Sequence, residues 1–274
     1  MEFEKKKVTV IMGIYNCQDT LEEAIDSLIA QTYVDWNLIM CDDGSKDDTV
    51  TVAKKIAEKL PGRVLILQNK QNKGLNYTLN RCLKHVNGEY TARMDADDVS
   101  LPERFQKEVE FLDTHKEYDF VSTPMILYDE HGDWGCDWGK ERPDKMDLMK
   151  SRPFCHAACM IRTNAFLDVK GYTVDKRLLR VEDLHLWMKL YAKNHYGYNI
   201  QEPLYKMRDD RNAYSRRKFK YRINESYIKI LTIKTFHFSW RYIVYALRPI
   251  IVGLLPNFLY DKLHKWSLKR EEMR

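Results

Sequence analysis

An α/β fold built on a mostly parallel central sheet is the expectation for this chain, and three observations carry it. Short apolar, β-branched runs alternate with stretches of helical periodicity as far as His115, the pattern of strand and crossover helix repeated. The runs end in polar turns such as Tyr15-Asn16 and Asp42-Asp43-Gly44-Ser45. At 274 residues the chain is long enough for one large domain of this class with an appendage, or for two small domains.

Taken in order, Val8 to Ile14 reads as a buried parallel strand that feeds a loop at Gly13, Tyr15 and Asn16. Thr20 opens a helix. Glu23, three residues on, is the reciprocal partner of a capping box, and Leu21, Ala24, Ile25, Leu28 and Ile29 follow at helical spacing. Asn37 to Cys41 is the second strand, and a helix runs from Asp48 or Thr49 through Val52, Ala53, Ile56, Ala57 and Leu60. Strand Val64 to Leu67, a Gly74 loop, helix Asn76 to His85 and strand Tyr90 to Met94 continue the alternation. In open sheets of this kind ligands bind beyond the carboxyl ends of the strands. Those ends carry Tyr15, Asn16, Asp42, Asp43, Asp95 and Asp97, so acidic groups are expected to converge on one rim.

After helix Pro102 to His115 and strand Phe120 to Leu127 the rhythm changes. Gly132 to Lys150 is polar, turn-rich and Trp-bearing, either a mobile acceptor-side loop or a β-excursion. Helices resume at Asn164 to Val169 and Glu182 to Asn194. From about Arg216 the tail is helical in pattern, and Lys and Arg far outnumber Asp and Glu. Within a net charge of +5, that bias suits an anionic partner, a membrane surface or nucleic acid. Ile243 to Tyr260 is nearly all apolar, but Arg248, Pro249 and Pro256 interrupt it, which argues against a spanning helix. Lys262, Lys265, Trp266, Lys269 and Arg270 follow. The stretch fits either an interfacial helix on anionic lipid or a helix packed on the domain with its basic side exposed.

Composition excludes a disordered or fully membrane-embedded chain, with 44% hydrophobic and 31% charged residues. Six cysteines at irregular spacing point to reduced thiols in a cytosolic compartment. Cys155, His156 and Cys159 lack the second ligand pair that a structural zinc site needs. No secretory signal is expected at the charged start, Met1 to Lys7.

The chemistry centres on Asp95, Asp97 and Asp98, directly after the apolar end of a strand. Close carboxylates repel unless a cation or protons intervene, and oxygen-rich sites suit Mg²⁺ or Mn²⁺ completed by water and substrate phosphate. Alone, an Asp-x-Asp is more often a surface turn. Its surroundings add to it: VTVIMGIYN at Val8 to Asn16, CDDGSKDDT at Cys41 to Thr49, NKGLNYTLN at Asn72 to Asn80, and ARMDADDVSLPERF at Ala92 to Phe105. FCHAACMIR at Phe154 to Arg162, Gly171-Tyr172 and VEDLHLWMKL at Val181 to Leu190 follow. In these pieces, and in their order, the chain from Val8 to Ser215 resembles the inverting nucleotide-sugar glycosyltransferases of family 2, which have the GT-A fold.

The resemblance implies a role for each matched residue. Tyr15, Asn16 and Gly74 would line the nucleotide, and Asp42 would accept a hydrogen bond from its base, with capping of the next helix as the structural alternative. Asp43 and Ser45 would shape that turn. Asp95 would sit by the ribose and metal, Asp97 would be the principal metal ligand, and Asp98 would either support it or open the turn before Pro102. Asp183 would be the catalytic base, with Glu182 orienting it or binding acceptor hydroxyls, although acidic residues populate first helical turns anyway. Arg208 or Arg211 would meet the diphosphate, because the family's histidine-bearing element is replaced here by Tyr205, Lys206, Arg208 and Arg211. His156 touches acceptor or diphosphate, or is structural; Trp187 is core packing or an acceptor-stacking ring. Gly13 stands where the family commonly has proline and should loosen its loop.

The expected protein is a metal-dependent GT-A enzyme over residues 1–215 with a helical extension over 216–274. It would take a UDP- or dTDP-linked sugar and a glycan or lipid-linked acceptor, on the inner face of the cell membrane, in surface polysaccharide synthesis. Nucleic acid is not an expected partner. The rivals are a nucleotidyltransferase and a non-catalytic basic binding module. The first needs a cationic phosphate-gripping loop, and Gly13 to Thr20 contains no Lys or Arg; the second has no use for the rim aspartates.

Overall fold

The computed structural model describes residues 2–209 and 219–254. Strands β1 (Val8–Ile14), β2 (Trp36–Asp42), β3 (Val64–Gln68) and β4 (Tyr90–Arg93) alternate with helices α1 (Leu21–Ile29), α2 (Thr49–Lys59) and α3 (Leu75–Leu83). Then come β5 (Val99–Ser100), α4 (Arg104–Thr114), β6 (Phe120–Ser122), β7 (Met125–Asp129), β8 (Gly132–Asp137) and the short α5 (Asp147–Lys150). The remaining elements are β9 (Met160–Arg162), α6 (Thr163–Asp168), α7 (Glu182–Ala192), β10 (Gly197–Asn199), β11 (Tyr205–Arg208), α8 (Phe219–Thr235) and α9 (Ile243–Gly253).

Seven strands form the main sheet, in the spatial order β10, β6, β9, β4, β1, β2, β3. All are parallel to their neighbours except β9, which is antiparallel to both β4 and β6. β1 and β2 are buried almost along their whole length, as strands covered on both faces must be. On one face Val10, Met12, Leu38, Met40 and Ala92 pack with α1 and α4; on the other Ile11, Ile39, Cys41 and Ile161 pack with α3, α6 and α7. The period-two alternation of these strands thus serves two cores at once.

A second sheet of four strands, in the order β5, β11, β7, β8, stands beyond the main one. It corrects the expectation of a single strand from Phe120 to Leu127, which is two strands in two sheets. Pro124 has no N–H for the ladder, and Thr123 turns its hydroxyl onto the Glu202 carbonyl while accepting from Leu204 N–H at 2.9 Å. Only the first part of the Gly132 to Lys150 segment is the β-excursion, with β8 antiparallel to β7; residues 138–146 form a loop before α5.

Two local expectations also change. The capping box at Thr20 does not form: the Thr20 hydroxyl bonds the Ala96 carbonyl at 2.9 Å, and Glu23 pairs with Arg208. Gly13 is not in a loop. It pairs with Cys41 inside β1, and a Cβ there would stand 3.0 Å from Leu75 Cδ1, so the small residue serves strand–helix packing. All six cysteines are free.

Candidate active site

Three strand ends make the rim. β1 and β2 end side by side, Ile14 against Asp42, and β4 stops at Arg93 opposite Ile11. The chain after β4 therefore crosses in front of the end of β1 as Asp95-Ala96-Asp97-Asp98. Both sheets pin that crossing. Thr20 holds Ala96 from the α1 side, and the buried Tyr205 hydroxyl donates to Asp98 Oδ2 at 2.9 Å while accepting from Asp95 N–H at 3.2 Å. One carboxylate oxygen from each aspartate lies within 4.8 Å of the others.

The three carboxylates differ in what they can still do. Asp98 is buried, with one oxygen taken by Tyr205 and the other accepting from Arg208 N–H at 2.8 Å. Burial, with the charges of Asp95 and Asp97, pushes its carboxyl up to about 8. Asp98 is therefore a buttress between the rim and the second sheet. Asp97 opens to the cleft, and enclosing protein atoms, then the Asp95 charge, push its carboxyl up. Asp95 is half-buried and gives Oδ1 to Arg93. Two carboxylates, each with an oxygen that accepts no hydrogen bond among the described residues and with mutual repulsion only partly offset by Arg93 and Arg208, are a donor set that fits Mg²⁺ or Mn²⁺.

The cluster borders a cleft of about 360 Å³ lined by Tyr15, Asn16, Cys17, Asp19, Asp97 and Arg208 among others. Asn16 takes a left-handed conformation, φ 48°, which asparagine tolerates better than most residues. Its N–H donates to Ser45 Oγ at 3.0 Å and its Oδ1 accepts from Lys46 N–H at 2.8 Å, clamping the β1 loop to the β2 loop. Arg208 ends β11, donates from Nε to the Asp97 carbonyl at 3.2 Å, pairs with Glu23 and stacks 4.8 Å over Tyr128. Lys206 is turned away, bonded to Asp133 at 2.8 Å. Arg211 lies outside the described residues.

Asp42 is enclosed by its own turn. Its oxygens accept from Ser45 Oγ at 2.5 Å and from the N–H groups of Gly44 and Ser45, while helix α2 takes no side-chain cap from it. Asp43 fixes the next loop by accepting from Lys73 N–H and Gly74 N–H, each at 2.8 Å, and from Asn69 at 2.7 Å. Gly74 holds φ 89° with nothing within 4 Å of where a Cβ would stand. Its backbone needs glycine, and the space in front of it is open.

Glu182 and Asp183 do not line this cleft; they form the first turn of α7. Burial, then the Asp183 charge, pushes the Glu182 carboxyl up, and Asp183 is the strongest influence holding the Arg152 guanidinium charged. His156 bonds the Tyr172 hydroxyl at 2.7 Å, and burial, then Arg93, holds its imidazole well below the usual range. Trp187 is 0% exposed and stacks on Phe120 at 4.9 Å. A ring so enclosed cannot lie against a sugar, which corrects the acceptor-stacking alternative in favour of core packing.

Residues 9–172 match the sequence model of glycosyl transferase family 2. The chain belongs to that family. This family 2 glycosyltransferase is 40% identical, over 94% of its length and 93% of the relative's, to the putative glycosyltransferase EpsE of Bacillus subtilis. It is 27% identical, over 89% of its length and 94% of the relative's, to WfaP of Escherichia coli, named as a UDP-Glc:α-D-GlcNAc-diphosphoundecaprenol β-1,3-glucosyltransferase. Its fold is similar to that of S. aureus TarS solved with UDP, at a TM-score of 0.67 and 18% identity, covering 91% of this chain and 75% of the other. Family membership makes the chain an enzyme with a GT-A fold and sets aside the nucleotidyltransferase and the non-catalytic module.

Four residues that border or brace the candidate site were not given that role by the motifs: Arg93, Cys17, Thr20 and Tyr205. A charge in the apolar run Tyr90 to Met94 was a signal for Arg93. Thr20 was marked only as a helix cap and Tyr205 only within the element expected at the diphosphate, and with Cys17, next to Asn16 in the chain, they join the rim through tertiary contacts.

Proposed function

We propose that this glycosyltransferase moves a sugar from a UDP- or dTDP-linked donor to a hydroxyl of a glycan or lipid-linked acceptor, inverting the anomeric carbon, in cell-surface polysaccharide synthesis. The observation that carries the reading is the cleft in which Asp95 and Asp97 meet Tyr15, Asn16 and Arg208. The family, the UDP held by TarS and the donor and acceptor in the name of WfaP support it. Asp95 and Asp97 would hold Mg²⁺ or Mn²⁺, which when bound supplies positive charge to the departing diphosphate. Tyr15, Asn16 and Gly74 would border the nucleotide, Asp42 would accept a hydrogen bond from its base, Asp43 and Ser45 would shape that border, and Arg208 would meet the diphosphate.

Asp183 would take the proton of the acceptor hydroxyl as its oxygen bonds the anomeric carbon and the bond to the diphosphate breaks. Glu182 and His156 would border the acceptor. The catalytic domain would span residues 1–215 and the extension 216–274, with the protein peripheral on the cytoplasmic face of the membrane. The described part of the extension exposes Trp240, Val244, Leu247, Ile251 and Leu254, an apolar stripe at helical spacing suited to a lipid surface. No helix among the described residues is long and apolar enough to cross a membrane.

The test is nucleotide-sugar hydrolysis over a donor panel, with and without Mn²⁺, for wild type, Asp97→Ala and Asp183→Asn. Each variant is expected to lose at least a hundredfold. Metal-independent turnover untouched by both changes would sink the mechanism.

A further inference from the structure

The most unusual group near the site is Arg93. It is 4% exposed at the last position of β4. Its neighbours Tyr90, Ala92 and Met94 pack into one core of the sheet, so strand alternation sends Arg93 to the opposite face. There its guanidinium pairs with Asp95 Oδ1. Its charge also acts on Asp97, Glu182 and His156, so one cation is shared by the donor and acceptor sides. Its Nε is buried without a hydrogen-bond partner among the described residues.

That arrangement does little for the fold. A buried ion pair roughly breaks even against apolar packing, and a buried donor left unmade is unfavourable. Its positive charge also opposes any cation brought to Asp95 and Asp97. What Arg93 supplies is geometry: Oδ1 of Asp95 is held, and no hydrogen bond among the described residues takes Oδ2. We propose that Arg93 is a positioning residue that fixes the Asp95 carboxylate through Oδ1 so that Oδ2 faces the metal. The inference rests on the metal reading above.

Mn²⁺ binding, followed by loss of the free-ion EPR signal with UDP absent and present, tests it without turnover. Arg93→Met removes a charge that repels the cation, so a purely electrostatic role predicts tighter binding. A positioning role predicts about tenfold weaker binding. Arg93→Lys keeps the charge but loses the planar fork, and it too is expected to bind Mn²⁺ about tenfold more weakly; if Arg93→Met does not fold, Arg93→Lys decides alone. In an Asp95→Asn background, Arg93→Lys should cost no further affinity, whereas general loosening of the strand would add to the loss. Wild-type or tighter affinity in the Arg93 variants overturns the proposal while leaving the metal reading intact. Failure of the wild type to bind Mn²⁺ overturns both.

Discussion

At the scale of single residues, the aspartates after β4 divide into ligands and a buttress, and the division is measurable. Asp98 accepts from Tyr205 and from Arg208 N–H within the protein. Asp98→Asn leaves one acceptor where two are used, and it is expected to lower stability by about 1–3 kcal/mol. Asp97→Ala opens onto the cleft and removes a repelling charge, so it should leave stability near wild type while abolishing Mn²⁺-supported donor hydrolysis. Thermal melts paired with hydrolysis assays separate the two. The reverse ranking would make Asp98 the ligand. Spacing located this cluster and the family resemblance put Asp97 first, but it left Asp98 between support and turn, and its partners Tyr205 and Arg208 are what set it apart.

At the scale of elements, the loops after β2 and β3 are shaped by backbone constraint. Gly74 sits at φ 89° and ψ 159°, a region essentially restricted to glycine. Gly74→Ala is expected to cost about 1–3 kcal/mol in urea unfolding, although no neighbour would touch the added methyl. An unchanged midpoint would show that the loop relaxes freely. In the extension, α8 and α9 pack on each other, with Ile228 of α8 buried against the α7 side of the core. The outer stripe of α9, Val244, Leu247 and Ile251, is exposed among the described residues. Replacing both Leu247 and Ile251 by Glu should weaken flotation with anionic vesicles at least tenfold, since each apolar side chain contributes about 1.5–3 kcal/mol when buried. Flotation unaffected by the pair would remove the lipid surface as the partner of this stripe. The apolar character of α9 was legible in the sequence, and so was Arg248 as an interruption. Which side of the helix is covered was not, because that depends on α8.

At the scale of the whole molecule, acid sensitivity follows from buried imidazoles. Burial, then Lys189, holds His185 down to about 4, and His156 is lowered in the same direction. A depressed folded pKa means the unfolded chain binds more protons, so the contribution is complete above about pH 6.5 and is lost as pH falls towards 4. For His185 the loss between pH 7 and 5 is about 2 kcal/mol. Urea midpoints should fall over that interval, and less so in His185→Gln; equal slopes for the two proteins would contradict the assignment. Glu108 works in the opposite sense. Burial pushes it up to about 7 against Arg104, so its contribution is present below about pH 4.5 and lost as pH rises through 7.

The alternation of strands and helices, the rim on which Asp42 and Asp95 lie, and the family are all legible in the order of the residues. Periodicity and turn chemistry act over a few residues, so they are readable along the chain. Tertiary structure decided the rest of the site. It split Phe120 to Leu127 between two sheets, turned Thr20 from a helix cap into a brace for Ala96, buried Trp187, and set Arg93 behind Asp95. Most of those outcomes depend on groups tens of residues apart meeting in a close-packed interior, and even Arg93 and Asp95, two residues apart, are set by the burial around them; one neighbour's position fixes whether a side chain is a ligand, a prop or core.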